Sequence, residues 1–223
     1  RAKQWRARLQ PATPEPIGTG EPADDLDRGV DAVLRSLLPK GVKPDTAEAQ
    51  VLRCYLGLEE TESAWPTNAE LGEAAGVTAG RVSQILPKAR KRWRQSKALA
   101  EVRDEIVHLV TEAGGVLSAE AIAETLLTLR GSAAAGDQRM RRALGLVRAA
   151  VEVEAERGGE ARLLHRRTRN SAIVALEEPT DPDAVAGTDL LDYAVRLGRV
   201  ADRLAAEDPL PTAEQTEAQL RKV

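Results

Sequence analysis

Residues 67–93, TNAELGEAAGVTAGRVSQILPKARKRW, constrain the fold most, because they read as two short amphipathic helices meeting at a corner and leaving through a run of positive charge. Thr67 is placed to cap the first helix, and Glu70 three residues on completes a capping box. Leu71, Ala74 and Ala75 give that helix an apolar side. Gly76 supplies the tight break, and Thr78 is a natural N-cap for the second helix. There Val82, Ile85 and Leu86 face a core, leaving Ala79, Gly80, Arg81, Ser83, Gln84 and Lys88 outside. Short and polar side chains at the start of a second helix suit a reader of the DNA major groove, whose first turn approaches the base edges. No acidic residue interrupts residues 81–97, and Lys88, Arg90, Lys91, Arg92, Arg94 and Lys97 form a tail suited to phosphates. Pro87 lies inside the second helix and removes the bond to the Ser83 carbonyl. The expectation is therefore that the reading helix kinks or stops near Leu86 and that Pro87 opens a new basic helix.

The stretch resembles region 4 of bacterial sigma factors, on Thr67, Glu70, Leu71, Gly72, Gly76, Val77, Thr78, Arg81, Val82, Gln84, Ile85, Lys88 and Ala89. The preceding VLRCYLGL (51–58) resembles the helix that supports that motif. The resemblance implies that Arg81 and Gln84 face DNA, with Lys88 and Arg92 nearer the backbone. It stops short of a whole sigma factor, because promoter-melting segments need aromatic residues and the chain has three Trp, two Tyr and no Phe. A longer resemblance runs over residues 45–220. The order of the helix pair, then LVTEAGGVLSAEAIAETLLTLRGS, then LGLVRAAVEVEAE, is similar to the C-terminal region of PglW-like serine/threonine kinases. That family implies a place in bacterial phage-growth-limitation (BREX) defence, with other defence-system proteins as further partners.

Charge placement matters more than the net value of −3. Acid gathers at Glu21, Asp24, Asp25, Asp27 and Asp31, which read as an acidic linker, and again at Glu177, Glu178, Asp181, Asp183, Asp189 and Asp192. Base gathers in residues 81–103, 139–148 and 162–169. With 42% hydrophobic and 30% charged residues and little β-branched or aromatic bulk, the chain is expected to be soluble and helical. The lone Cys54 excludes a disulfide framework and a cysteine-based zinc site, and its helical register makes it a small buried hydrophobe. His108 and His165 have no ligand-spaced companion, so no metal and no cofactor are assigned. Without a signal peptide or an 18-residue apolar run, the expected place is the cytoplasm, with no membrane partner.

Four parts are expected, giving a mainly α fold of tandem helical modules. Residues 1–28 read as a short basic helix and a Pro/Gly linker. Residues 29–98 form the helix-turn-helix module, with Val30, Val33, Leu34, Leu37 and Leu38 on one face, a helix begun at Asp45, and Trp65 and Trp93 as core anchors. Residues 99–178 read as a winged helix. Its first helix carries Leu99, Val102, Ile106, Leu109 and Val110; Ser118 caps the second, and Asp137 the third. In that third helix Met140, Leu144, Val147 and Val151 point inward, and Arg139, Arg141, Arg142 and Arg148 outward. A hairpin with strands near 162–167 and 172–177 and a turn at 169–171 closes the unit. Residues 179–223 read as a linker and the start of a further, partial helical module. Arg1 is not Met and the chain stops in what reads as a helix start, so a piece of a longer protein is expected.

No Gly-rich phosphate loop, H-R-D or D-F-G is present, so no kinase catalytic domain is expected within these residues. The expected partner is double-stranded DNA. The candidate contacts are Arg81, Ser83 and Gln84 at base edges, Lys88, Arg90, Lys91 and Arg92 on phosphates, and Arg141, Arg142, Arg148, Arg166, Arg167 and Arg169 from the winged helix. A protein-interaction scaffold and a sigma-like transcription factor fragment are the alternatives.

Overall fold

A computed structural model describes residues 29–168, 171–178 and 185–223. The N-terminal helix and linker expected over 1–28, Arg169 of the hairpin turn and the residues 179–184 of the second linker lie outside the described residues. Among the described residues are nine α-helices and a three-stranded antiparallel sheet.

Helix α1 spans Val30–Leu37 and buries Val30, Val33, Leu34 and Leu37, as their spacing predicts. Asp31 is no part of a solvated linker. It is buried in α1, where its carboxylate accepts from the Ser132 hydroxyl (2.6 Å), the Ala133 N–H (2.7 Å) and Arg142 (2.5 Å). Burial alone would raise its pKa, but Ser132, Arg142 and Ala133 together hold it below the usual value. Helix α2 (Ala47–Tyr55) is capped by Thr46, one residue past the expected start.

Helices α3 (Asn68–Ala74) and α4 (Ala79–Trp93) make the expected corner. Thr67 and Glu70 form the reciprocal capping box, and the Thr78 hydroxyl accepts from the Arg81 N–H. Gly76 adopts φ +66°, a left-handed conformation that glycine takes without cost. Gly72 lets the two helices close up, since a Cβ there would stand 2.7 Å from the Val77 carbonyl oxygen. The expectation of a break near Leu86 is corrected: α4 runs through Pro87 without interruption. Pro87 and Ser83 both lie on the exposed side, where water can take the orphaned carbonyl, while Val82, Ile85, Leu86, Ala89 and Trp93 pin the other side.

The next elements are α5 (Lys97–Glu112), β1 (Val116–Ser118), α6 (Ala119–Arg130), α7 (Gly136–Ala155), β2 (Leu163–Arg167) and β3 (Ala172–Leu176). The sheet order is β1-β3-β2, pairing Leu117 with Val174 and His165 with Val174 across its middle. Helix, strand, two helices and a returning hairpin is the order expected of a winged helix, with β1 an addition to that reading. Asp137 does not cap α7; the helix starts at Gly136 with no side-chain cap, and Asp137 sits in its first turn. Helices α8 (Gly187–Ala205) and α9 (Ala213–Leu220) follow, with α8 lying on the sheet through Leu191 and Val195.

One buried apolar cluster runs from Val30 to Leu176 and draws on residues of both the 29–98 and 99–178 segments. Helix α7 is its axis: all of residues 143–151 are buried, against α1, α4, α5, α6 and β2. Trp93 anchors α4 to α1 by donating to the Leu37 carbonyl (2.7 Å).

Candidate nucleic-acid interface

The outer face of α4 is where the expected contacts converge. Arg81, Ser83, Gln84, Lys88, Lys91 and Arg92 are all exposed, opposite the buried stripe. Arg81, Gln84, Lys88 and Lys91 recur at three- and four-residue steps and so form one row, about 15 Å long at 1.5 Å per residue. Arg81 donates to the Gln84 side-chain oxygen (3.1 Å), which holds the two as a pair. Arg92 makes only a long contact with Glu48 (3.7 Å), both side chains more than two-fifths exposed. A surface pair of that kind contributes little and gives way easily.

Ser83 is less free than its position suggests. Its hydroxyl donates to the Ala79 carbonyl (3.0 Å) and accepts from the Asn68 side-chain amide (2.9 Å). Asn68 therefore belongs to this surface, although the sequence marks it only as the residue after a cap.

Arg90 is turned away from the expected phosphate face. It pairs with Glu152 of α7 and with Glu156 just past its end (3.0 Å to Glu156), and its guanidinium lies 5.7 Å from the centre of the Tyr55 ring. The Tyr55 hydroxyl donates to the same Glu152 (2.8 Å). Burial works against the Arg90 charge, but Tyr55, Glu152 and Glu156 raise its pKa on balance. Arg94, next along, also reaches Glu156 (2.9 Å). One side of the basic tail is thus fastened to α7 while the other stays open.

The contacts expected from α7 are corrected most. Arg148 points inward and is only 1% exposed. Its guanidinium sits 4.6 Å from the Tyr55 ring centre and 5.9 Å from that of Trp65, and it donates to the Ala64 carbonyl (3.0 Å). Burial is the main cause that pushes its pKa down. Arg142 is half-buried on Asp31, and Arg141 is half-buried with a long contact to Glu60 (3.4 Å). With residues 143–151 enclosed, α7 cannot lie in a groove along its length, and only its first turn is exposed.

The hairpin arginines part company. Successive strand residues face opposite ways, and Arg166 pairs with Asp192 of α8 whereas Arg167 reaches Glu70 of α3 (3.2 Å). Glu70 is held below the usual carboxylate range chiefly by the Thr67 N–H, with Ser63 and Arg167 adding to it. His165 lies beside Trp65 (5.9 Å between ring centres), and burial pushes its pKa down. Among the described residues no three His, Cys, Asp or Glu side chains converge as a metal site, and no helix is long and apolar enough to cross a membrane.

In an alignment of 189 positions that covers 78% of its length, the chain is 38% identical to the probable kinase PglW of Streptomyces coelicolor. No family model matches the sequence, and no solved structure matches it. The aligned part makes up 12% of that relative, so the chain corresponds to a small portion of a much longer protein. This similarity identifies the chain as a PglW-like sequence.

Proposed function

We propose that this segment engages duplex DNA through α4, used as the second helix of a helix-turn-helix, within a phage-defence protein whose kinase chemistry lies in other residues. The observation that supports this best is the exposed row Arg81, Gln84, Lys88 and Lys91 on a helix that contains no acid. The Arg81–Gln84 pair offers a fork of donors beside an amide, the chemistry that reads guanine and adenine edges. Lys88, Lys91 and Arg92 follow, suited to phosphates. The resemblance to sigma region 4 implies the same side for Arg81 and Gln84, with Lys88 and Arg92 nearer the backbone.

The two kinds of contact separate by mutation. Arg81→Ala is expected to weaken binding to a selected site by about 1–3 kcal/mol and to relax base preference at one position. Lys91→Ala should weaken all sequences about equally and reduce the slope of log K against log salt by about 0.9. Fluorescence anisotropy on selected and scrambled duplexes reads both. If neither variant changes affinity, α4 is not the reading element.

A further inference from the structure

The hairpin of a winged unit would ordinarily serve that unit's own third helix, but here the third helix, α7, is enclosed over residues 143–151. The end of β2 instead meets the first turn of α3. Arg167 contacts Glu70 there, and Asn68, two residues away, is bonded to Ser83 on the outer face of α4. Two residues, about 3 Å of helix rise, separate Glu70 at the hairpin contact from Asn68 at the surface assigned to DNA.

Arg167 is also the better placed of the two hairpin arginines to take a phosphate. Glu70 does not depend on it, since the carboxylate already accepts from the Thr67 N–H (2.6 Å) and the Ser63 hydroxyl (2.9 Å). Arg167 reaches Glu70 through one nitrogen, Nη2, at 3.2 and 3.4 Å, and its side chain is about one-third exposed. A guanidinium carries five N–H donors, so a phosphate can be taken without first breaking a close pair. Arg166 faces the opposite side of the strand, toward Asp189, Asp192 and Arg196 of α8.

We infer that α4, Asn68 and Arg167 form one continuous duplex-binding surface, in which Arg167 supplies a phosphate contact flanking the reading helix and Arg166 supplies none. The inference rests on the reading of α4 as the DNA-engaging helix. It assigns the hairpin to the helix corner as an outrigger, and leaves α7 as the beam that joins them.

The test compares Arg167→Ala, Arg166→Ala and Arg167→Lys in the full chain by anisotropy on one mixed duplex, titrated in salt. The expected result is a slope smaller by about 0.9 for R167A, an affinity several-fold lower at low salt, and a wild-type slope for both R166A and R167K. Equal slopes for R167A and R166A, with Lys91→Ala still weakening binding, would overturn the shared surface and leave the α4 reading standing. Loss of slope in R167A that R167K does not restore would mean a structural role for the Glu70 contact. Absence of wild-type binding would remove both this inference and the reading beneath it.

Discussion

Gly145→Ala is expected to lower stability by at least about 2 kcal/mol, a drop in Tm of about 4–8 °C for a chain of this size. A Cβ on Gly145 would stand 2.1 Å from the Leu56 carbonyl oxygen, 2.3 Å from its carbon and 2.9 Å from the Gly57 nitrogen. These are backbone atoms, so no side chain can rotate aside. The reciprocal contact is as tight, since a Cβ on Gly57 would lie 2.2 Å from the Arg141 carbonyl oxygen. Helix propensity alone would favour alanine at position 145 by about 1 kcal/mol, so the close crossing of α7 and the α2 exit must outweigh it. Gly198→Ala, in α8 with open space around the added carbon, serves as the control and should gain up to about 1 kcal/mol. Thermal melts of both variants decide the matter; equal midpoints would mean that α7 does not cross that loop so closely.

Arg148→Ala should cost about 2–5 kcal/mol, the range for truncating a large buried side chain to alanine. The substitution opens a cavity between the Tyr55 and Trp65 rings and strands the Ala64 carbonyl. Arg148→Met keeps most of the volume and relieves the burial of a charge, so it should cost less than half as much. A loss under about 1 kcal/mol for the alanine variant would place Arg148 in solvent and return it to the list of surface cations.

These two residues also show where the sequence was legible. The corner of α3 and α4 could be read because everything that makes it is local: a capping box three residues apart, a glycine at the turn, and a second N-cap. The hairpin could be read from its alternation and polar turn, although the short β1 partner was missed. Arg148 could not, because a positive charge on a helix ordinarily marks its solvent face. What reverses that here is a box built from Tyr55 and Trp65, more than 80 residues away in sequence. Arg90 misled for a related reason, since it borders the buried stripe of α4 and meets Glu152 and Glu156 only once α7 is in place. Pro87 was read by the rule for an enclosed helix interior, whereas its missing bond falls on an exposed face. The link from Arg167 to Glu70 carries no local signal at all, and it ties the end of the hairpin to the first turn of α3.

Those corrections sharpen the candidate surface. Among the cations removed from it, Arg90, Arg142 and Arg148 bind the helix corner to the winged unit through α7 or brace α7 against α1. Of those that remain, Arg81, Lys88, Lys91 and Arg92 lie together on one exposed helix face.

The most direct measurement is anisotropy of the full chain on a mixed duplex, titrated from low to physiological salt, beside the Lys91→Glu/Arg92→Glu variant. The account expects salt-sensitive binding by the wild type that the charge reversal abolishes while the thermal midpoint holds. Binding that survives the reversal, or none at low salt, would contradict it and turn the α4 face into a docking surface for protein.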